Sequence, residues 1–313
     1  MNGAASRHAF GSAPAGVMQP PAVVLPDAEV FARRAARLRE LAERVSSLAD
    51  FLAFMGCVAQ AQHQLLATGE AAWHPAPGAF DLALAHGMAP LGIHALRPNA
   101  AWQADLAALL DALELYAGER QRPLLAALRE QTPAALETLA DDVLEGRSGA
   151  AATRGLMPLV AAALQLAWVR LARTLPCPPE RPGPEAQALC PCCGSAPLAS
   201  VVHIEPQRSG VRYLHCSLCA TEWHLERVKC SVCGRGGKLL YLGLEDERGK
   251  PFLPAQAEAC GDCGHYLKLV PRELDARADP LADDLASLAL DVALAEQGDY
   301  QRSGYNPLLI AGE

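Results

Sequence analysis

The stretch YLHCSLCATEWHLERVKCSVCG, residues 213–234, holds two Cys-x-x-Cys pairs, Cys216/Cys219 and Cys230/Cys233, separated by Trp223, His224 and several charges. In a tight turn that spacing points two thiolates at one centre, and two such turns facing each other complete a tetrahedral four-sulfur site. Outward from the quotation the pattern repeats: Cys190/Cys193 lies upstream in CPCCG, and Cys260/Cys263 downstream in CGDCG. A glycine follows the second cysteine at Gly194, Gly234 and Gly264, where it can take the left-handed conformation that completes the turn. Cys219 is followed by Ala220 instead. A single pair is weak evidence. Four pairs, arranged pair–hairpin–pair twice, are a specific signal.

Knuckles at either end of one hairpin face each other, so geometry favours the sites Cys190/Cys193/Cys216/Cys219 and Cys230/Cys233/Cys260/Cys263. The alternative joins Cys216/Cys219 to Cys230/Cys233 across ATEWHLERVK and pairs the outer two. On the first arrangement the quoted stretch carries half of each of two sites, with TEWHLERV as the strand between them. Four thiolates suit zinc or a single iron, and sulfur ligation alone does not choose between them. A structural site of this kind contributes about 10–16 kcal/mol of apparent binding energy, which a small domain poor in aromatics needs in order to fold.

The 313-residue chain is 51% apolar, enough for a sizeable core and about two domains. A net charge of −8 and a pI near 5.6 argue against nucleic acid as a partner. The opening residues, MNGAASRHAFGSAPAGVMQPPAVVLP, lack the apolar run of a secretory signal, and residues 1–26 read as a disordered tail. The most apolar segment, GLMPLVAAALQLAWVRLARTL (155–175), is interrupted by Pro158, Arg170 and Arg173 and reads as a buried helix, so no membrane insertion is expected. Of eleven cysteines, nine fall between positions 190 and 263. Clustered pairs without an export signal indicate metal or redox chemistry in the cytoplasm.

Residues 27–175 read as a helical domain. In DAEVFARRAARLRELAERVSSLADFLAF, Phe31, Ala35, Leu38, Ala42, Val45 and Ala49 recur at helical steps with arginines and glutamates between them, and Asp27 is a plausible N-cap. Further helical patterns run through LADFLAFMGCVAQAQHQLLA, NAAWQADLAALLDALELYA, RPLLAALREQ, PAALETLADDVLEG and about 151–175. PCPPERPGPEAQ (176–187) is a Pro-rich linker that no helix passes. Residues 188–270 form the double four-cysteine metal-binding domain, with strands in ASVVHIEP, GVRYLHC, TEWHLERVKC, KLLYLGLE and HYLKLVP. Residues 271–313 form a C-terminal helix and tail, with Leu281, Leu285, Leu288 and Val292 on one apolar face that packs on the small domain or bridges to the helical one.

The run CPCCGSAP…VRYLHCSLCATEWHLERVKCSVCG…EACGDCGHYLKL resembles the formate dehydrogenase accessory protein FdhE family. The matching block covers about 188–270. The closing LADDLASLALDVALAEQG…GYNPLL resembles that family's C-terminus, and FLAFMGCVAQAQ in the helical half is a less distinctive match. Ala259 before Cys260 departs slightly from the family pattern without altering a ligand. The resemblance implies a mainly α N-terminal domain, a β-rich twin rubredoxin-like or zinc-ribbon domain and a C-terminal helix. It implies a cytoplasmic maturation factor that binds the catalytic (large) subunit of respiratory formate dehydrogenase. It further implies two mononuclear metal ions, iron favoured and zinc possible, on the eight cysteines named above.

Cys192, inside the first knuckle, reads as a variable spacer position, Cys57 as a buried small residue and Cys177 as a residue of the linker. His203, His215, His224 and His265 lie near the cysteines, but four complete pairs already fill two tetrahedra, so these rings are expected beside the sites or on the surface. Trp223 reads as hairpin core. Across 188–270 nine basic residues meet eight acidic ones, which is no footprint for nucleic acid. GRGGK lacks the spacing of a phosphate loop, and neither G-x-S-x-G nor H-E-x-x-H occurs. The pairs also lack the βαβ setting of a thioredoxin-type thiol centre. These absences favour a non-enzymatic protein over a dithiol oxidoreductase.

Overall fold

The computed structural model describes residues 20–68, 73–97, 101–147, 149–150, 152–183, 186–246 and 248–310. The first element is a two-residue strand, β1 (Val23–Val24), inside the stretch read as tail; the rest of that stretch up to residue 19 lies outside the described residues. Helix α1 (Val30–Arg44) follows. Asp27 does not cap it: the residue before the helix is Glu29, and Asp27 Oδ1 accepts the Glu29 N–H from two positions upstream. The long helical pattern breaks at Val45, with one 3-10 turn over Ser46–Leu48 before α2 (Ala49–Thr68). The two helices pack closely at Gly56, where an added Cβ would sit 3.3 Å from Arg39 Cγ.

Short helices α3 (Asp81–Ala85) and α4 (Ile93–Leu96) lead to α5 (Trp102–Leu113), α6 (Arg122–Arg129) and α7 (Pro133–Leu144). Pro133 begins α7 as its residue type suggests, and Thr132 Oγ1 accepts the Ala135 N–H. Helix α8 (Met157–Ala172) is the axis of this half, with every residue but Arg170 buried. Arg170 lies 2.6 Å from Asp105. The window from Arg154 to Ala172 is apolar enough to cross a membrane, with a mean hydropathy of 1.5, but 89% of it is buried in the protein.

The second half is one mixed sheet. Its strands are β2 (Pro197–Val202), β3 (Arg212–Cys216), β4 (Glu222–His224), β5 (Leu239–Leu242), β6 (Gln256–Cys260) and β7 (His265–Pro271). The spatial order β1-β4-β3-β2-β7-β6-β5 places two three-stranded antiparallel ribbons side by side. The first ribbon's opening strand meets the second's closing strand in parallel, Ser200 against Leu269 and Val202 against Pro271. TEWHLERV is therefore a strand only over Glu222–His224 and then turns toward the next knuckle.

The C-terminal helix is two helices, α9 (Pro280–Ala286) and α10 (Leu288–Gln297), broken at Ser287, whose Oγ donates to Asp283 O. The break changes the phase. Leu281 and Leu285 are buried as expected, but the buried residues of α10 are Leu290 and Leu294, while Val292 is exposed. A last short strand, β8 (Gln301–Arg302), runs parallel to β7. Helix α9 bridges the two halves: Arg37 of α1 holds Asp283 at 2.6 Å, and on its other side Asp284 holds Lys268 of β7 at 3.2 Å.

Candidate metal centres

Each quartet is built the same way. A knuckle enters its ribbon, and a second knuckle sits where strand β3 or β6 ends in a cysteine, Cys216 or Cys260. In the first, Cys190 N–H donates to Ser195 O and Gly194 N–H to Cys190 O, both at 2.9 Å. Gly194, Gly234 and Gly264 take φ of 79°, 72° and 70°. Ala220 takes 56° in the equivalent place, a conformation that costs a residue with a Cβ about 1–2 kcal/mol. Its methyl packs in a small cluster with Val30, Phe31, Leu166 and Val169, an apolar contact that offsets the strain.

The structure brings Cys190, Cys193, Cys216 and Cys219 together, and separately Cys230, Cys233, Cys260 and Cys263, with the four Sγ atoms of each group within 4.8 Å of one another. The grouping that crosses ATEWHLERVK does not occur. Cys190 and Cys219 sulfurs are 3.5 Å apart, Cys193 and Cys216 3.4 Å, Cys230 and Cys263 3.7 Å, and Cys233 and Cys260 3.8 Å. Four sulfurs at about 2.3 Å from a common ion lie about 3.8 Å from each other, so both groups have the dimensions of a tetrahedral thiolate site. Backbone N–H groups point at the sulfurs: Leu218 and Cys219 donate to Cys216 Sγ, and Val232 donates to Cys230 Sγ. The Ser195 and Thr221 hydroxyls lie 3.3 and 3.2 Å from Cys193 and Cys219 sulfurs. Burial pushes the Cys190 and Cys216 thiols well above the ordinary range; burial works the same way on Cys219, but hydrogen bonds from Cys190, Cys193 and Cys216 together hold it well below. Such crowded, proton-sharing thiols are the donor set a soft or borderline cation displaces protons from.

The two groups differ in setting. All four cysteines of the first are buried and belong to the same contiguous core as α5 and α8. Gln165 of α8 donates to Ser217 O at 2.8 Å, and Leu91 N–H donates to Cys192 O at 2.7 Å. In the second, Cys230 and Cys260 are buried but Cys233 and Cys263 are half-buried.

Cys192 is fully buried beside the first group without joining it, Cys57 is half-buried at the edge of the helical core, and Cys177 is exposed. No histidine enters either quartet. His203 and His215 are buried rather than superficial: His203 Nε2 lies 2.8 Å from Glu222 Oε2 and His215 Nδ1 3.3 Å from Glu222 Oε1. His224 contacts Arg181 of the Pro-rich linker, and His265 donates through Nδ1 to Cys263 O. Trp223 is buried core, its Nε1 donating to Gln187 O at 2.9 Å. Sequence reasoning missed Arg212 and Glu258, the charged pair that ties the ribbons, and Glu222, which holds His203, His215 and Arg208 within the first, because their partners are brought together only by the folded sheet.

A helical body carrying two tandem four-cysteine ribbons, each able to hold one metal ion, is the class of protein these features define. Three FdhE family models cover nearly all of the chain. The N-terminal domain matches residues 20–183, the central domain 189–227 and the C-terminal domain 228–309, which puts one quartet in each of the last two. The chain is 40% identical over 293 residues to the Protein FdhE homolog of Cronobacter sakazakii, covering 91% of this chain and 89% of that one. It is 39% identical over 292 residues to Protein FdhE of Escherichia coli, with the same coverage. The crystal structure of the FdhE protein from Pseudomonas aeruginosa superposes with a TM-score of 0.81 at 37% identity, over 94% of this chain and 100% of that one. The chain belongs to the FdhE family.

Proposed function

We propose that this protein is a non-enzymatic maturation factor that binds the catalytic subunit of a respiratory formate dehydrogenase in the cytoplasm. On this reading Cys190, Cys193, Cys216 and Cys219 hold one mononuclear metal, and Cys230, Cys233, Cys260 and Cys263 another. The observation that carries it is the agreement of family membership along the whole chain with two complete thiolate tetrahedra. Iron is favoured by the resemblance and zinc is the alternative. Either would fasten two knuckles together, and iron would add a one-electron couple. The chain's own residues shape the sites: backbone N–H groups of Leu218, Cys219 and Val232 stabilise thiolate charge, and the core around the first quartet excludes water.

Affinity capture from formate-grown cells tests the partner. Recovery of a formate dehydrogenase large subunit, with loss of that enzyme's activity in a deletion strain, supports the reading. Failure to recover it, with normal activity in the deletion strain, rejects it. Metal analysis and absorption spectra of anaerobically purified protein test the sites: two metals per chain with eight alkylation-protected cysteines also reject thiol–disulfide cycling.

A further inference from the structure

Strand β3 begins with Arg212 and ends with Cys216, so the residue that opens it shares a rigid element with a member of the first quartet. The side-chain bonds of Arg212 go elsewhere, to β2, to β6 and to the turn before Cys230. Arg212 is 1% exposed, and its guanidinium reaches across the sheet to the scaffold of the second quartet. Nε donates to Ser200 Oγ at 3.0 Å on β2, which fixes the plane of the group. Nη1 donates to Lys229 O at 2.6 Å and to Glu226 O at 3.4 Å, in the turn that delivers Cys230. Nη2 lies 2.7 Å from Glu258 Oε1, two residues before Cys260 on β6. The Arg212 backbone adds a further tie, since its carbonyl accepts the Leu225 N–H at 3.2 Å.

One side chain of the first ribbon thus touches both halves of the second quartet's support. Few other bonds do this. The ribbons' direct backbone pairing is the short β2–β7 ladder, which reaches neither the Cys230 nor the Cys260 knuckle. A buried cation is costly to desolvate, and a lysine would place a single nitrogen where the fork places three. The position therefore calls for arginine geometry and not merely positive charge. We propose that Arg212 is a positioning residue for the second metal centre, setting the separation of the Cys230/Cys233 knuckle from the Cys260/Cys263 knuckle. Capture of metal there then depends on the first ribbon being folded. This rests on the reading that the quartets hold metal.

The test uses the full-length chain reconstituted anaerobically with Zn²⁺, challenged with a chelator, and followed by cysteine alkylation with peptide mass mapping. Arg212→Lys and Arg212→Met are expected to speed zinc loss from Cys230/Cys233/Cys260/Cys263 by about tenfold or more, the scale on which residues supporting ligands act. Loss from Cys190/Cys193/Cys216/Cys219 should change less than about twofold, making the first quartet an internal reference. Glu258→Gln keeps the contacts to the Lys229 and Glu226 carbonyls and should give an intermediate effect; it carries the test where Arg212→Met does not fold. Equal loosening of both quartets would mean a general stabilising role and would overturn the proposal, as would unchanged release from the second. A parent chain that retains neither zinc nor, after anaerobic reconstitution with ferrous iron, iron overturns the metal reading and this inference with it.

Discussion

Gly236→Ala is the sharpest test of how the second ribbon is packed. The sequence GRGGK has the glycines of a phosphate loop without its spacing, and the structure supplies another reason for one of them. A Cβ on Gly236 would stand 1.8 Å from Val228 O and 3.0 Å from its carbonyl carbon, where ordinary contact begins at 3.4 Å. The obstacle is backbone, which cannot swing aside as a side-chain tip can. The carbonyl would have to retreat by roughly 1.5 Å, against a cost of about 1–3 kcal/mol for overpacking alone. Val228 also adjoins Lys229, whose carbonyl Arg212 grips at 2.6 Å, so retreat strains a bond worth about another 1 kcal/mol. We expect a total near 3 kcal/mol, or about a hundredfold in zinc affinity at the second quartet. Gly237→Ala is the matched control, because the nearest atom to its Cβ is 4.0 Å away and the change should be neutral or slightly stabilising. Chelator competition and urea unfolding of the zinc-loaded protein measure both. A Gly236→Ala protein within about 0.5 kcal/mol of its parent would refute the close approach.

Other changes probe the rest of the molecule. Cys216→Ser and Cys233→Ser should each remove one metal per chain by elemental analysis. The former should also lower the melting temperature of the helical half, because its quartet lies in the shared core; unchanged stoichiometry would reject the ligand assignment. During slow chelation, iodoacetamide should label Cys233 and Cys263 before any cysteine of the first quartet, since these two are half-buried and the others are not. Ala220→Gly trades relief of about 1 kcal/mol of left-handed strain for loss of a buried methyl worth about 0.8 kcal/mol, leaving stability nearly unchanged in urea, whereas Ala220→Val should cost about 2 kcal/mol or more. Asp284→Asn should cost about 1–3 kcal/mol, because Lys268 and Arg302 lose a buried charged partner while both keep Asp291. Although burial alone would raise the Asp284 carboxyl, Lys268 and Arg302 depress it overall. Its contribution is therefore present above the unfolded value of about 4 and lost as pH falls below it, so the variant should show a flatter acid limb.

Much of this was legible from residue types and spacing, and what was missed shares a physical cause. The knuckles announce themselves because their chemistry is local: two cysteines, and usually a glycine, within five positions. Strand β6, QAEAC, offers no β-branched residue and reads like helix, yet pairing with β5 and β7 on both sides overrides its propensity. Strand β1 is two valines whose partners, Trp223 and Glu222, are about two hundred positions away. Arg34 and Arg37 look like the solvent-facing filler of an amphipathic helix, yet both are almost wholly buried, because Asp279, Asp275 and Asp283 arrive from the far end of the chain. Such pairs have no sequence neighbourhood from which to be inferred.

The tandem arrangement itself makes the two centres unequal. Two similar ribbons laid side by side in one sheet meet different helices: the second packs on α9 through Lys268 and Asp284 and on α10 through Ala257, Ala259 and Tyr266, and only the first lies against α8. Gln165 and Leu91 reach the first ribbon's knuckles, and α8 shares its core. Its quartet can come apart only by opening that core, so its loss should spread into the helical half. The second ribbon ends in β5, whose Leu240 and Tyr241 are exposed, and it is tied to the first by the β2–β7 ladder and the Arg212 fork. Its quartet can open without opening the core around α8. One cysteine pattern written twice therefore yields one centre set in the core around α8 and another that leans on the first ribbon and on α10, and that difference follows from strand order before any difference in ligand.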